Sequence, residues 1–247
     1  VDPHSQNLIH CPWMTNPLWN QDERRPRMLW RLCLQGTLFV FSVFVCFIPM
    51  VLMIIFFGDE KVFKDKKLLM SNPWLLFLMH LIFLGCQVGS TWVAVRFFDR
   101  RPLRDLGLRW NPSWPKDLCF GFFLGLASMT FIFLVEWMFG WVTVSGLFRT
   151  ARPQDSWMAA MSLGLLMFTM VAFMEELQSR GYQLRNMAEG FNIGGRRPRL
   201  AMIMAVLATS LVFSAIHATN DNSSWVSTAS LVIAGTVLAL PVALTGE

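Results

Sequence analysis

The chain has 247 residues, of which 54% are hydrophobic and 15% are charged, and its mean hydropathy is +0.46. Soluble domains carry about 25% charged residues, so this composition excludes an ordinary soluble protein and indicates a multi-pass membrane protein. The net charge of +5 requires no nucleic-acid partner, because Arg and Lys in short loops are the usual orientation signal of membrane proteins.

A helix that crosses a bilayer needs about 20 mostly apolar residues. By this criterion the chain has a polar N-terminal arm, residues 1–31, followed by a transmembrane domain, residues 32–247. The predicted fold class is all-α, a polytopic helical bundle with about six transmembrane helices. The predicted spans are residues 32–57, 73–98, 118–144, 157–188, 200–218 and 226–243. The last third of the fourth span is polar, so we expect it to project into water.

Loop charge predicts that the N-terminus lies in the cytoplasm. The arm and the loops 99–116 and 189–199 are rich in Arg and Lys. The alternate loops, 145–156 and 219–225, are poor in both. The 58–67 loop opposes the pattern, since its four lysines are only partly offset by three acidic residues. The 99–116 segment, with three prolines and two Trp, is expected to be interfacial.

Several common catalytic and structural patterns are missing from the sequence. The five cysteines include no Cys-x-x-Cys pair and lie mostly in or beside apolar runs, which argues against disulfides or a structural zinc site. No HExxH, GxSxG, Gly-x-Gly-Asp, Walker or Rossmann pattern occurs. The usual zincin, serine hydrolase and nucleotide-binding motifs therefore do not account for its function.

Two motifs place ionisable side chains in segments apolar enough to cross a membrane. Burying such a side chain in a bilayer costs free energy unless it has an oppositely charged partner or a function, so these residues are functional candidates. They are Glu-Glu-Leu-Gln-Ser-Arg-Gly-Tyr at 175–182 and Phe-Ser-Ala-Ile-His at 213–217. Glu175 lies 21 residues before Arg196, in the turn between spans four and five, and His217 lies 21 residues after it. Equal distances along an antiparallel hairpin predict similar depth, within about one helical turn of ~5 Å.

The spacing within the motifs favours hydrolytic chemistry. Glu176 and Arg180 are spaced i,i+4, so they share a helix face and can pair. Glu175 points about 100° away from Glu176, which leaves its carboxylate available as a base toward water. His217 can hold that water, stabilise an oxyanion or bind a metal, and Phe213 lies one turn before it.

The polar residues also admit other functions. The Glu-Arg pair is typical of a structural clamp, and a lone His in a membrane helix is often a packing residue. His80, Gln87 and Glu136 are further polar groups at membrane depth, and Glu136 either lines the same cavity or makes a helix-to-helix hydrogen bond. A non-catalytic scaffold or immunity factor remains an alternative. A small transporter would use Glu136, Glu175 and His80 as a proton path.

Together, Glu-Glu-x-x-x-Arg-Gly-Tyr and Phe-x-x-x-His resemble the motifs of the CAAX prenyl protease and bacteriocin-processing (CPBP or Abi) family of intramembrane endopeptidases. The resemblance covers about residues 160–247, and the first three spans are similar only in kind. It implies that Glu175 activates water. It also implies that Glu176 and Arg180 support this base, and that His217 holds the water or a metal.

The resemblance implies a substrate, a location and further site residues. The expected partners are the bilayer and a peptide or protein substrate, with or without a lipid anchor, in a prokaryotic cell membrane. A divalent metal such as zinc at Glu175 and His217 and a metal-free glutamate mechanism both stay open. The family has a third motif, His-x-x-x-Asn or His-x-x-x-Asp, after a Thr-Gly step that Thr245-Gly246 resembles. The last span or spans of the family core are therefore expected to be missing from this sequence, either because the chain is truncated or because it is a divergent member without those ligands, and the site then lacks a His and an Asn.

Overall fold

The computed structural model describes residues 16, 18–21, 23–57, 73–150, 156–192, 195–221 and 223–246. In these ranges six helices are long and apolar enough to cross a membrane, which confirms the all-α prediction of about six spans. The described strands, β1 (Trp19–Asn20) and β2 (Arg25–Pro26), form one short antiparallel pair. The protein is thus an integral multi-pass membrane protein. The lysine-rich 58–67 loop and most of the N-terminal arm lie outside the described residues.

The helices follow the predicted spans. In chain order they are α1 (Met28–Phe57), α2 (Pro73–Val93), α3 (Trp114–Met138), α4 (Trp157–Glu176), α5 (Leu184–Phe191), α6 (Pro198–His217) and α7 (Trp225–Thr245). The first π turn (Ala94–Asp99) extends α2, and the second π turn (Leu177–Gln183) joins α4 to α5. A short 3₁₀ helix covers Leu103–Leu106. Single π turns inside helices often mark functional sites.

The chain forms two compact units, and the boundary between them falls inside α4. One unit comprises residues 1–107 and 167–247, and the other comprises residues 108–166. The second unit holds α3 and the beginning of α4. No described side chain of α3 is buried, as expected for an apolar helix that faces lipid.

The bounds of α3 differ from the predicted span 118–144. It begins four residues earlier, at Trp114, because Pro115 in its first turn starts a helix without needing a backbone N–H. It ends at Met138, just before Gly140, whose φ of +72° is left-handed and stops the helix. Apolar residues after this glycine extended the predicted span beyond the helix.

In the first unit, the two π turns and the 3₁₀ helix share a buried apolar cluster. Its fully buried members are Ala94, Val95, Leu106, Leu177 and Tyr182. Gly181 makes this packing possible, since a Cβ at its position would lie 3.1 Å from the backbone oxygen of Leu106. A second cluster of Leu184, Ala205, Val206 and Ala239 joins α5, α6 and α7.

The last third of the predicted fourth span packs against other parts of the first unit, and its projection beyond the bilayer remains a prediction. Arg180, Tyr182 and Asn186 are all buried. The Tyr182 hydroxyl donates to the backbone oxygen of Arg31 at 3.1 Å, and the Asn186 amide donates to the Asp99 carboxylate at 3.0 Å. The polar side chains are therefore satisfied by α1 and the first π turn rather than by water.

α1 starts at Met28, four residues before the predicted first span. Arg31 lies in its first turn and is buried, with its guanidinium 3.7 Å from Asp99 and 3.2 Å from Glu189. Arg101 pairs with the same Glu189 at 2.7 Å. These ion pairs compensate a charge that the prediction assigned to the polar arm.

α6 and α7 form a closely packed pair in the first unit. α7 starts with a reciprocal cap, in which Ser224 accepts from the backbone of Ser227 and the Ser227 hydroxyl accepts from the backbone of Ser224. Further along α7, Gly235 faces Ser210 of α6, and a Cβ on Gly235 would lie 3.2 Å from both Cα and Cβ of Ser210. The glycine lets the two backbones approach, as small residues do between membrane helices.

Candidate active site

The two adjacent carboxylates of the first motif stand where α4 passes into the second π turn, and they have different partners. Glu175 Oε1 lies 3.4 Å from Nε2 of His217 at the end of α6. Glu176 Oε1 lies 3.1 Å from Nη1 of Arg180, one turn further along its own helix. The structure thus brings together all four predicted site residues, with one carboxylate toward the imidazole and the other toward the guanidinium.

The imidazole of His217 is oriented by its own helix. Its Nδ1 lies 2.8 Å from the backbone oxygen of Phe213, which only accepts, so Nδ1 carries a proton. In the neutral ring the lone pair is then on Nε2, which faces the Glu175 carboxylate. Two acceptors that face each other require a proton, a water molecule or a cation between them. The Phe213 ring packs against the imidazole, with centroids 4.5 Å apart.

Arg180 connects three helices beneath the carboxylates. Its side chain is 6% exposed, pairs with Glu176 on α4 and donates from Nη2 to the backbone oxygen of Gly235 on α7 at 3.3 Å. Its Cζ also lies 5.0 Å from the ring centroid of Phe213 on α6, a cation–π contact. A guanidinium with this many partners holds a fixed position and neutralises Glu176.

The reactive side of the site is open. Glu175 and His217 have side-chain exposures of 37% and 23%, in contrast to 6% for Arg180. These two side chains are therefore accessible from outside the protein, as is that of Glu176 at 48%, whereas Arg180 is enclosed by its partners.

The other polar residues predicted at membrane depth, His80, Gln87 and Glu136, lie on other helices than the four site residues. His80 on α2 bonds through Nδ1 to the backbone oxygen of Leu76, one turn earlier, at 2.7 Å. Gln87 donates to Gln178 in the second π turn. Glu136 lies on α3 in the second unit. The predicted roles of His80 and Glu136 remain predictions.

Three residues that contact the site or its π turn, Gln35, Gln178 and Gly235, had no role predicted from the sequence. Gln178 bonds to two other helices, through Gln35 on α1 and Gln87 on α2. The signal for these residues was available, because amides in apolar runs need partners. Gly235, whose carbonyl holds Arg180, gave no such signal, since glycine is common in membrane helices.

The donor set for a metal is incomplete within the part of the chain that the structure describes. Glu175 and His217 give a carboxylate oxygen and an imidazole lone pair at the same point. No group of three or more His, Cys, Asp or Glu side chains occurs there. Catalytic zinc sites usually have three protein ligands, so a zinc ion at this pair needs a further one.

The geometry agrees with a comparison with known protein families. A sequence model of the Rce1-like family, described as type II CAAX prenyl endopeptidase Rce1-like, matches residues 156–247. This range contains both motifs and confirms the predicted resemblance over about residues 160–247. No match was found among curated proteins or among solved structures. Residues 156–247 of this membrane protein are therefore similar to a family of CAAX-type membrane proteases.

Proposed function

We propose that this protein is an intramembrane endopeptidase in which Glu175 activates the water that hydrolyses a peptide bond. The observation that carries the proposal is the 3.4 Å approach of Glu175 Oε1 and His217 Nε2. These two groups come from the two motifs in the region that matches a CAAX endopeptidase family.

The proposed chemistry follows from two hydrogen-bond acceptors, the Glu175 carboxylate and Nε2 of His217, that can bind the same water molecule. A water molecule that donates one hydrogen to Glu175 and the other to Nε2 of His217 keeps its oxygen lone pairs free for the substrate carbonyl carbon. As the C–O bond forms, Glu175 takes the proton of the water. When the tetrahedral intermediate collapses, the C–N bond breaks and Glu175 returns that proton to the leaving amine. The products are a new carboxyl group and a new amine.

Glu176 and Arg180 support the base in this proposal. The ion pair at 3.1 Å neutralises Glu176, so the turn keeps one uncompensated carboxylate, that of Glu175. The bond from Arg180 to the Gly235 carbonyl and its contact with Phe213 attach this pair to α7 and α6. The pair therefore fixes the helix turn from which Glu175 projects.

The substrate we propose is a peptide or protein segment near a lipid anchor, in keeping with the name of the matched family. The proposed location, a prokaryotic cell membrane, rests on the family resemblance alone. A divalent metal such as zinc at Glu175 and His217 is the alternative form of the mechanism. Activity that is lost with a zinc chelator and returns on adding zinc supports the metal form, whereas chelator-resistant activity supports the metal-free form.

The test is cleavage of a fluorescence-quenched farnesylated CAAX peptide by the full-length protein in lipid vesicles. Glu175→Gln removes the base and keeps the shape, so we expect the rate to fall by about 10²–10⁴-fold. Glu136→Gln is the matched control, because it removes a membrane carboxylate from the other unit. Membrane fractionation checks that both variants insert equally.

Cleavage that is unchanged in Glu175→Gln would refute the proposal and favour the non-catalytic scaffold or immunity factor. An equal loss in both variants, together with proton flux in the same vesicles, would favour the transporter.

A further inference from the structure

A chain of three amide side chains crosses the apolar interior of the first unit. Gln178, in the second π turn, donates from Nε2 to Oε1 of Gln35 on α1 at 2.9 Å. Its Oε1 accepts from Nε2 of Gln87 on α2 at 2.6 Å. Gln87 also donates to the hydroxyl of Thr91 at 3.0 Å. Gln35 is 1% exposed and Gln87 is 5% exposed, and Gln178 between them is half-buried.

The Gln178 side chain is bonded at both ends of its amide. Reversing its amide would set Nε2 against the Nε2 of Gln87 and Oε1 against the Oε1 of Gln35, and both bonds would be lost. In a membrane interior no solvent replaces a lost hydrogen bond, so a side chain bonded at both ends of its amide holds its neighbouring helices in place. This applies to Gln178, whereas Nε2 of Gln35 has no hydrogen-bond partner among the described residues. Gln178 therefore ties the second π turn to α1 and α2 in one orientation.

The candidate base lies two residues before this turn, at the end of α4. Gln178 is three residues after Glu175, and Arg180 follows two residues later. Arg180 binds the turn to α6 and α7, whereas Gln178 binds it to α1 and α2. A π turn departs from regular α-helical spacing. The direction in which Glu175 points therefore depends on whether the π turn keeps this geometry. The turn is bonded to α1 and α2 through Gln178 and to α6 and α7 through Arg180.

We propose that Gln178 is a positioning residue, whose bonds to Gln35 and Gln87 hold the second π turn in the geometry that sets Glu175 against His217. The expected effect on catalysis rests on the proposed function. The expected effect on the distance between Glu175 and His217 does not, and it can be measured without any substrate.

The first experiment separates turnover from binding with the farnesylated CAAX peptide. Gln178→Met keeps the side-chain length and removes the amide. We expect kcat to fall by about 10-fold to 100-fold, because small misplacements of catalytic groups cost about this much, with KM within about twofold of wild type. Gln183→Met is the matched control, since Gln183 ends the same π turn and takes no part in the amide chain. Its kcat should stay near wild type.

The other members of the chain provide a second prediction. Gln35→Met and Gln87→Met break the same network from other helices, so each should reproduce the loss in kcat. Combining either with Gln178→Met should add little, because contacting residues of one network are not additive. Fully additive losses, or losses in the Gln178 variant alone, would overturn the positioning role of the network.

The second experiment needs no activity. In the full-length chain with its five native cysteines replaced by alanine, Glu175→Cys and His217→Cys place two thiols where the contact now lies. We expect a short thiol-specific cross-linker to bridge them rapidly, and Gln178→Met to slow bridging several-fold while Gln183→Met does not. If the wild-type protein cleaves no peptide, the proposed function fails and the bridging rates still decide the positioning role. Equal bridging rates and equal kcat, with only a lower melting temperature, would show that the amides merely stabilise the fold.

Discussion

Gly235→Ala tests whether the close approach of α6 and α7 holds the candidate site together. The new Cβ would lie 3.2 Å from Cα and Cβ of Ser210 and 3.3 Å from its Oγ. Cα belongs to the rigid backbone of α6 and Cβ is bonded to it, so neither can rotate away. α7 therefore has to move away from α6 by a few tenths of an ångström. The bond from Arg180 to the Gly235 carbonyl is already 3.3 Å long. A further ~0.3 Å makes it about 3.6 Å, which is no longer a hydrogen bond.

The expected loss of stability in Gly235→Ala has two sources. Overpacking of a tight interface costs about 1–3 kcal/mol. Loss of a hydrogen bond from a charged donor costs about 1.5–3 kcal/mol. Because the two effects share one displacement they are not additive, and the gain of about 0.5–1 kcal/mol for alanine over glycine in a helix offsets part of them, so we expect Gly235→Ala to be destabilised by about 1–3 kcal/mol.

The matched control is Gly89→Ala in α2, where nothing lies within 4 Å of the added Cβ. Alanine in a helix interior is more favourable than glycine by about 0.5–1 kcal/mol, so this control should melt at or above the wild-type temperature. Thermal unfolding in detergent and cleavage of the CAAX peptide measure both variants. Ser210→Gly removes Cβ and Oγ from the clash and should restore part of the loss. A Gly235→Ala protein that melts like Gly89→Ala would refute the reasoning.

Two more substitutions probe the packing around the second π turn. Gly181→Ala places a Cβ 3.1 Å from the backbone oxygen of Leu106, which cannot rotate away, so we expect a loss of about 1–3 kcal/mol in thermal unfolding; an unchanged melting temperature would contradict this. Asp99→Ala removes the carboxylate that accepts from the Asn186 amide and leaves Arg31 paired with Glu189 alone, 3.2 Å away, so we expect a loss of about 1–3 kcal/mol in thermal unfolding. Wild-type stability of Asp99→Ala would show that the ion pair contributes little.

The six spans were predictable because bilayer thickness sets a minimum length for an apolar run, and length can be read without knowing the fold. The bonding partners of the polar residues at the end of the fourth span were not predictable in this way. Tyr182 bonds to a residue 151 positions earlier, and Asn186 to one 87 positions earlier. Polarity alone does not distinguish a side chain that meets water from one that meets a distant partner.

The contact between Glu175 and His217 followed from their equal distances to the turn between two antiparallel helices, a local property of the sequence. The partners of Gln178 did not, because they lie 143 and 91 residues away on helices outside the family match. Gly235 was missed for a different reason. Its role comes from a carbonyl and from an absent side chain, and neither has a pattern in the sequence.

The family match begins at residue 156, yet the segment that carries the carboxylates is held by Arg31, Gln35 and Gln87, far upstream of that limit. A boundary drawn from sequence similarity therefore does not coincide with a unit able to fold autonomously. Excising residues 156–247 would remove the partners of these hydrogen bonds and leave their polar groups facing lipid. A systematic mutational scan should accordingly find inactivating changes in the first two helices, where comparison of sequences alone would assign no function.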